Sequence, residues 1–177
     1  QYRHRVFAQE VLKHTGYKII YGSYASTDVY YRKPLTFHTC NPQAPATSFV
    51  MVNDIHGDNK LLEDLMSRCN LTQTDFVLFN GDMLSFINSE DQLFKGFMDT
   101  AVRLFASEIP MYYARGNHET RGVFATEIQR YFSPCQEHLY YAFRQGPVYC
   151  IVLDTGEDKP DSDIEYAGIT QYDLYRT

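Results

Sequence analysis

Several features are scarce in this 177-residue chain, and each scarcity removes a class of function. No apolar run is long enough to span a membrane. The four cysteines, Cys40, Cys69, Cys135 and Cys150, are widely spaced and form no Cys-x-x-Cys pair, which excludes a zinc ribbon or a thioredoxin motif. Isolated buried thiols are the expectation, with one disulfide open if the protein is exported. Basic residues are outnumbered. Sixteen Lys and Arg against 22 Asp and Glu leave a net charge of -6, which argues against nonspecific binding of duplex nucleic acid. Neither Gly-x-x-x-x-Gly-Lys-Ser/Thr nor Gly-x-Gly-x-x-Gly occurs, so a nucleotide-binding α/β domain is a weak reading. There are no internal repeats and no low-complexity segments. The start, Gln1-Tyr2-Arg3-His4, shows neither an initiator Met nor a signal-peptide pattern, so a removed leader or a fragment is expected.

What is present suffices for a folded core: 44% hydrophobic residues and ordinary charge. Tryptophan is absent, but 15 Tyr and 12 Phe replace it, and the tyrosines crowd the first forty residues as in half-exposed β-strands. Residues 1–46 read as β-structure: strands over Arg5–Val11, Lys18–Tyr21, Val29–Tyr31 and Leu35–Thr39, with turns at Thr15-Gly16, Gly22-Ser23 and Lys33-Pro34. So few strands do not make a sandwich alone, so they read as a β-sandwich remnant. Asn41-Pro42-Gln43-Ala44-Pro45-Ala46 is the linker.

From residue 47 the pattern alternates. Strands are expected at Ser48–Val52, Asp75–Phe79 and Pro110–Ala114. A helix over Lys60–Cys69 presents Leu61, Leu62, Leu65, Met66 and Cys69 on one face. A second opens on the capping box Ser89-Glu90-Asp91-Gln92 and buries Leu93, Phe94, Phe97, Met98, Ala101, Val102 and Phe105. A short helix follows near Thr126–Phe132. Leu139–Phe143 and Val148–Leu153 then form a hairpin about Gln145-Gly146-Pro147, and Gly156–Asp163 is a polar loop. The fold class is therefore α/β, a largely parallel sheet covered by helices, over residues 47–177.

Three phrases fall at the ends of the three strands: Asn53-Asp54-Ile55-His56-Gly57-Asp58, Phe79-Asn80-Gly81-Asp82 and Gly116-Asn117-His118-Glu119. In open α/β sheets ligands bind at the carboxyl ends of strands, and strands about 4.8 Å apart let such loops converge. Carboxylate, imidazole and amide donors suit Zn, Mn or Fe. Each phrase alone has a plainer explanation, such as a turn Asp capping a helix beside a surface His. Three in succession point to half of a two-cation hydrolytic site.

In that order the phrases resemble the calcineurin-like metallophosphoesterase superfamily, over about residues 47 to 155. The resemblance implies that Asp54 and His56 hold one ion, that Asp82 bridges, that Asn117 holds the second, and that His118 stands beside the phosphate as acid or stabiliser. It implies two divalent or trivalent metal ions (Fe, Zn or Mn), a phosphate-ester substrate, and hydrolysis by a metal-activated hydroxide. Glu119 is expected to orient His118 or a neighbouring loop. Arg115 faces the substrate phosphate or, as preferred, is a solvated loop cation. Asp58 is expected to cap the following helix.

Residues His4–Thr39 and Tyr140–Asp154 resemble the purple-acid-phosphatase-type branch, the former its preceding fibronectin-like domain, which implies export. Ser85 replaces that branch's metal-binding tyrosine, so no tyrosinate–iron absorption is expected. No Gly-His-x-His follows His118, so the expectation is a fragment of a longer enzyme, itself a poor catalyst. The alternative is a non-catalytic binding or cell-surface module that keeps the fold.

Overall fold

The computed structural model describes residues 2–26, 35–132 and 138–157. The chain divides into two units between Thr39 and Cys40.

In the first unit β1 (Tyr2–His4) pairs antiparallel with β4 (Leu35–Phe37), and β2 (Phe7–Thr15) with β3 (Lys18–Ser26). The turn between β2 and β3 is set by Gly16 at φ 55°. Gly22-Ser23 is not a turn but lies inside β3. It faces an irregular register between Gln9 and Lys13, where Glu10 accepts hydrogen bonds from Ser23 N (3.0 Å) and Ser23 Oγ (2.8 Å). The glycine marks a close approach by Glu10, not a reversal. Among the described residues no second layer packs on the β2–β3 ribbon, and it is exposed on both faces rather than half-buried. The strand expected at Val29–Tyr31 lies outside the described residues.

The second unit contains the parallel sheet, in order β5 (Phe49–Val52), β6 (Phe76–Asn80), β7 (Met111–Ala114). Continuous apolar runs make these strands; β6 is largely buried, whereas Phe49 and Met51 of β5 are exposed. Helix α1 (Asn59–Ser67) crosses from β5 to β6. Asp58 caps it, its carboxylate accepting from Leu61 N at 2.9 Å. Only Leu62 and Met66 are buried in α1; Leu61 and Leu65 face outward, because a short helix on a three-stranded sheet touches it along one row.

The crossover from β6 to β7 is a continuous helical run over 90–106. It opens with α2 (Glu90–Leu93), capped by Ser89 Oγ, and holds α3 (Asp99–Ala101) between two π turns, Phe94–Met98 and Val102–Ala106. The π turns explain an error in the expected stripe. Leu93, Phe97, Ala101 and Phe105 recur every fourth residue, a repeat that drifts about 40° per step on a 3.6-residue helix. Wider turns hold all four in the core and swing Val102 out to 52% exposure.

On this face Phe79 meets Phe97 and Phe105 edge-on. On the other face Phe76 stacks on Phe49 and meets Tyr112 and Phe143 edge-on, with Phe143 stacked on Tyr112 at 3.6 Å. Phe143 belongs to the hairpin of β8 (Tyr141–Gln145) and β9 (Val148–Val152), turned by Gly146 at φ 56°. The Tyr141 hydroxyl accepts from Tyr113 N (3.0 Å) and donates to Tyr113 O (2.9 Å), satisfying the open edge of β7.

The expected short helix is a 3₁₀ turn, Ala125–Glu127, followed by α4 (Gln129–Phe132). Cys40, Cys69 and Cys150 are free thiols, and none is fully buried, contrary to expectation. Cys135 lies outside the described residues. Among the described residues no helix is long and apolar enough to cross a membrane.

Candidate metal centre at the strand ends

The loops after β5 and β6 leave the sheet together. Their backbones continue the ladder past the strand ends: Asp54 N donates to Gly81 O (3.2 Å), His56 N to Asp82 O (3.0 Å) and Gly57 N to Met83 O (2.8 Å). Ile55 and Met83 sink into the core between the polar residues, so Asp54, His56 and Asp82 are left at the surface side. All three sit in the left-handed region, at φ 57°, 52° and 56°. Non-glycine residues there are uncommon, and such conformations cost roughly 1–3 kcal/mol each unless the surroundings impose them. Among the described residues these are the only non-glycine positions with positive φ, and all three are sequence-predicted metal ligands.

The loop after β7 reaches the other two through paired glycines. A Cβ on Gly116 would lie 2.2 Å from Asp82 Oδ1 and 2.6 Å from Asp82 N. One on Gly81 would lie 2.7 Å from Gly116 Cα, at a backbone φ of 85°. The glycines in Gly-Asp and Gly-Asn-His are thus the contact surface between two loops.

Glu119 locks that contact. It is fully buried, and its carboxylate accepts from Asp82 N, Gly116 N and Leu84 N, each at 2.9 Å. Burial pushes its pKa above the usual carboxylate range, and the three N–H bonds pull against that shift. Of the two jobs expected of it, the geometry supplies the neighbouring-loop contact. Glu119→Gln turns one acceptor into an NH₂ group aimed at a backbone N–H. It is expected to lower stability by about 1–3 kcal/mol. Urea unfolding of the variant beside the parent measures this; equal midpoints and slopes would show that the carboxylate holds nothing.

The donors converge. Ligand atoms of His56, Asp82 and His118 all lie within 4.8 Å of one another. Asp54 Oδ1 is 3.8 Å from His56 Nε2, and Asn53 Nδ2 donates to the other Asp54 oxygen. Asp82 Oδ1 accepts from His118 N at 3.1 Å, which fixes the carboxylate. The two imidazoles meet edge-on at 4.7 Å. Asn117 opens the 3₁₀ turn His118–Thr120, and its carbonyl accepts from Thr120 Oγ1 at 2.6 Å. Two imidazoles and carboxylates from three chain segments match borderline cations such as Zn, Mn or Fe. The residues fit a metal site.

Ser85 serves both rings. Its carbonyl lies 3.0 Å from His118 Nδ1, and its hydroxyl 3.1 Å from His56 Nδ1. A carbonyl only accepts, so His118 Nδ1 carries the hydrogen and Nε2 keeps its lone pair for the site. Sequence reasoning noted Ser85 only as a missing tyrosine.

Arg115 is not a solvated loop cation. Its side chain is 5% exposed and forks onto Asp154, Nη2 to Oδ2 at 2.7 Å and Nε to Oδ1 at 3.2 Å. A second buried fork escaped the sequence reading altogether. Arg121 Nε and Nη2 bond Glu157 at 2.6 and 2.7 Å, while Nη1 approaches His118, 3.0 Å from Nδ1 and 3.3 Å from Nε2. Glu157, placed by the sequence in a polar loop, is buried. Its partner stands 36 residues away, and no local pattern announces such a pair.

Comparison with curated proteins finds no match. The family model for the calcineurin-like phosphoesterase matches residues 47–175, a span that begins just before β5 and runs through all three strand-end loops. The match covers most of the chain, and the loops it spans carry two imidazoles and a carboxylate that converge, so the chain belongs to the calcineurin-like phosphoesterase family.

Proposed function

We propose that this protein hydrolyses phosphate esters at a two-cation centre built on the loops after β5, β6 and β7. The observation that carries the reading is the convergence of His56, Asp82 and His118 within 4.8 Å on loops held in left-handed backbone. Family membership supports metal-dependent phosphoester hydrolysis and a phosphate-ester substrate.

In this proposal Asp54 and His56 would hold one cation, Asn117 would hold the second, and Asp82 would be shared between them. Asp82 follows the central strand of the three, with a loop on either side. When bound, the cations lower the pKa of a water molecule and offset charge growing on the phosphoryl oxygens. The chain contributes the geometry. Glu119 keeps the second and third loops in register, so Asp82 and His118 hold their spacing. Ser85 orients both imidazoles, as metal-site histidines require. His118, with Nδ1–H held by the Ser85 carbonyl, presents Nε2 to the leaving oxygen; to donate a proton there it acts as the imidazolium. No side chain is needed as nucleophile.

The purple-acid-phosphatase-like branch, a fibronectin-like origin for the first unit, and export belong to the same proposal. They rest on the sequence resemblance.

The test uses the protein carrying this chain, stripped of metal with a chelator. Added Mn²⁺ or Zn²⁺ is expected to restore hydrolysis of p-nitrophenyl phosphate or bis(p-nitrophenyl) phosphate. It should also raise stability by about 2.7 kcal/mol at a hundredfold excess over the dissociation constant. Hydrolysis indifferent to chelator, or a trapped phosphoenzyme, would overturn the reading.

A further inference from the structure

The Arg121–Glu157 pair is buried, with side chains 10% and 2% exposed, and the chemistry above does not use it. Stability alone is a poor reason for it, since a buried ion pair is often no better than apolar residues of similar volume. Its geometry suggests another. Both oxygens of Glu157 are taken up by the Arg121 fork, and Thr120 Oγ1 lies 3.3 Å from one of them. The backbone is pinned as well: Arg121 N donates to His118 O (3.1 Å) and Arg121 O accepts from Ile87 N (2.8 Å). The guanidinium therefore has little freedom.

Its remaining nitrogen, Nη1, is nearly equidistant from the two ring nitrogens of His118. An atom in the imidazole plane at such distances would collide with Cε1. Nη1 must lie over the face of the ring, away from either in-plane lone pair. Arg121 thus aims an N–H at the face of the His118 ring, a direction fixed by the fork that its other two nitrogens make on Glu157. The ring is gripped at its edge by the Ser85 carbonyl and on its face by Arg121.

We propose that Arg121, clamped by Glu157, is a positioning residue for His118, holding the imidazole so that Nε2 faces the metal site. The proposal deepens the metal-site reading and takes the role of His118 from it.

The test is long-range ¹H–¹⁵N correlation of ¹⁵N-histidine-labelled, metal-free protein. In the parent, His118 is expected to show a single Nδ1–H tautomer. In Arg121→Leu/Glu157→Leu, which removes both charges together, His118 is expected to shift to a mixture of tautomers while His56 is unchanged. Affinity for Mn²⁺ is expected to stay near the parent's, because His118 is not among the proposed ligands, while hydrolysis by the metal-loaded protein falls. If the double variant does not fold, Arg121→Lys is measured in its place. It keeps the charge without the fork, and the same loss of the single tautomer is expected. A folded variant in which His118 keeps the parent's signature overturns the proposal. Because the spectrum is read without metal, failure of the parent to bind Mn²⁺ or hydrolyse esters would reject the proposed function separately.

Discussion

Gly116→Ala is expected to dismantle the site and destabilise the second unit by about 3 kcal/mol or more. The added methyl has nowhere to go, because it would lie 2.2 Å from the Asp82 carboxylate and 2.6 Å from the Asp82 backbone nitrogen. A flexible side chain can yield, but the nitrogen cannot without breaking its bond to Glu119. Moving the third loop outward would also pull Glu119 away from Asp82 N and Leu84 N and carry His118 away from Asp82. Gly81→Ala meets the reciprocal clash with Gly116 Cα and adds the strain of a side chain at φ 85°. Denaturant unfolding and Mn²⁺ titration of both variants measure the effect. A Gly116→Ala protein of parental stability and metal affinity would show that the loops are not in contact.

Asp82→Asn is expected to do the opposite: spare the fold and remove the function. Asparagine tolerates the left-handed backbone, and its carbonyl oxygen can still accept from His118 N. Stability is therefore expected within about 1 kcal/mol of the parent, as for substitutions that disturb no packing. The lost charge falls at the proposed bridge between the cations. Since groups that merely orient a ligand are worth about 10- to 100-fold in affinity, a bridging carboxylate should be worth more than about 100-fold. Hydrolysis by the protein carrying this chain should fall with it. Near-parental turnover with the same metals would remove Asp82 from that position.

The parallel sheet was legible because its three strands are apolar runs bounded by turn residues, and the crossovers show helical spacing. The order β5-β6-β7 follows the chain, each strand pairing in parallel with the next, which puts Asp82 after the central strand. Asp58 was readable as a cap because capping is local. Less legible were features that depend on distant partners. Val102 matched the apolar stripe, but π turns rotated it outward, and Gly22 matched a turn, though it opposes Glu10 across a ribbon.

At the site, residue types and order were visible, while the devices that assemble them were not. Glu119 was in the motif, but its three N–H partners lie on two loops. Ser85 and Arg121 carry no pattern that marks them, and they matter only because the fold lays them against His56 and His118. Arg115 sat in a suggestive position yet is committed to Asp154, 39 residues on.

The central claim is that the loops after β5, β6 and β7 present their donors to one shared cation cluster. The most direct measurement is paramagnetic broadening on adding substoichiometric Mn²⁺ to ¹⁵N-labelled protein. The structure predicts that signals of Asp54, His56, Asp82 and His118 vanish together, at one Mn²⁺ concentration, and that Asp82→Asn abolishes the effect at that concentration. Broadening of one of these loops without the others, or its persistence in Asp82→Asn, would contradict a common centre.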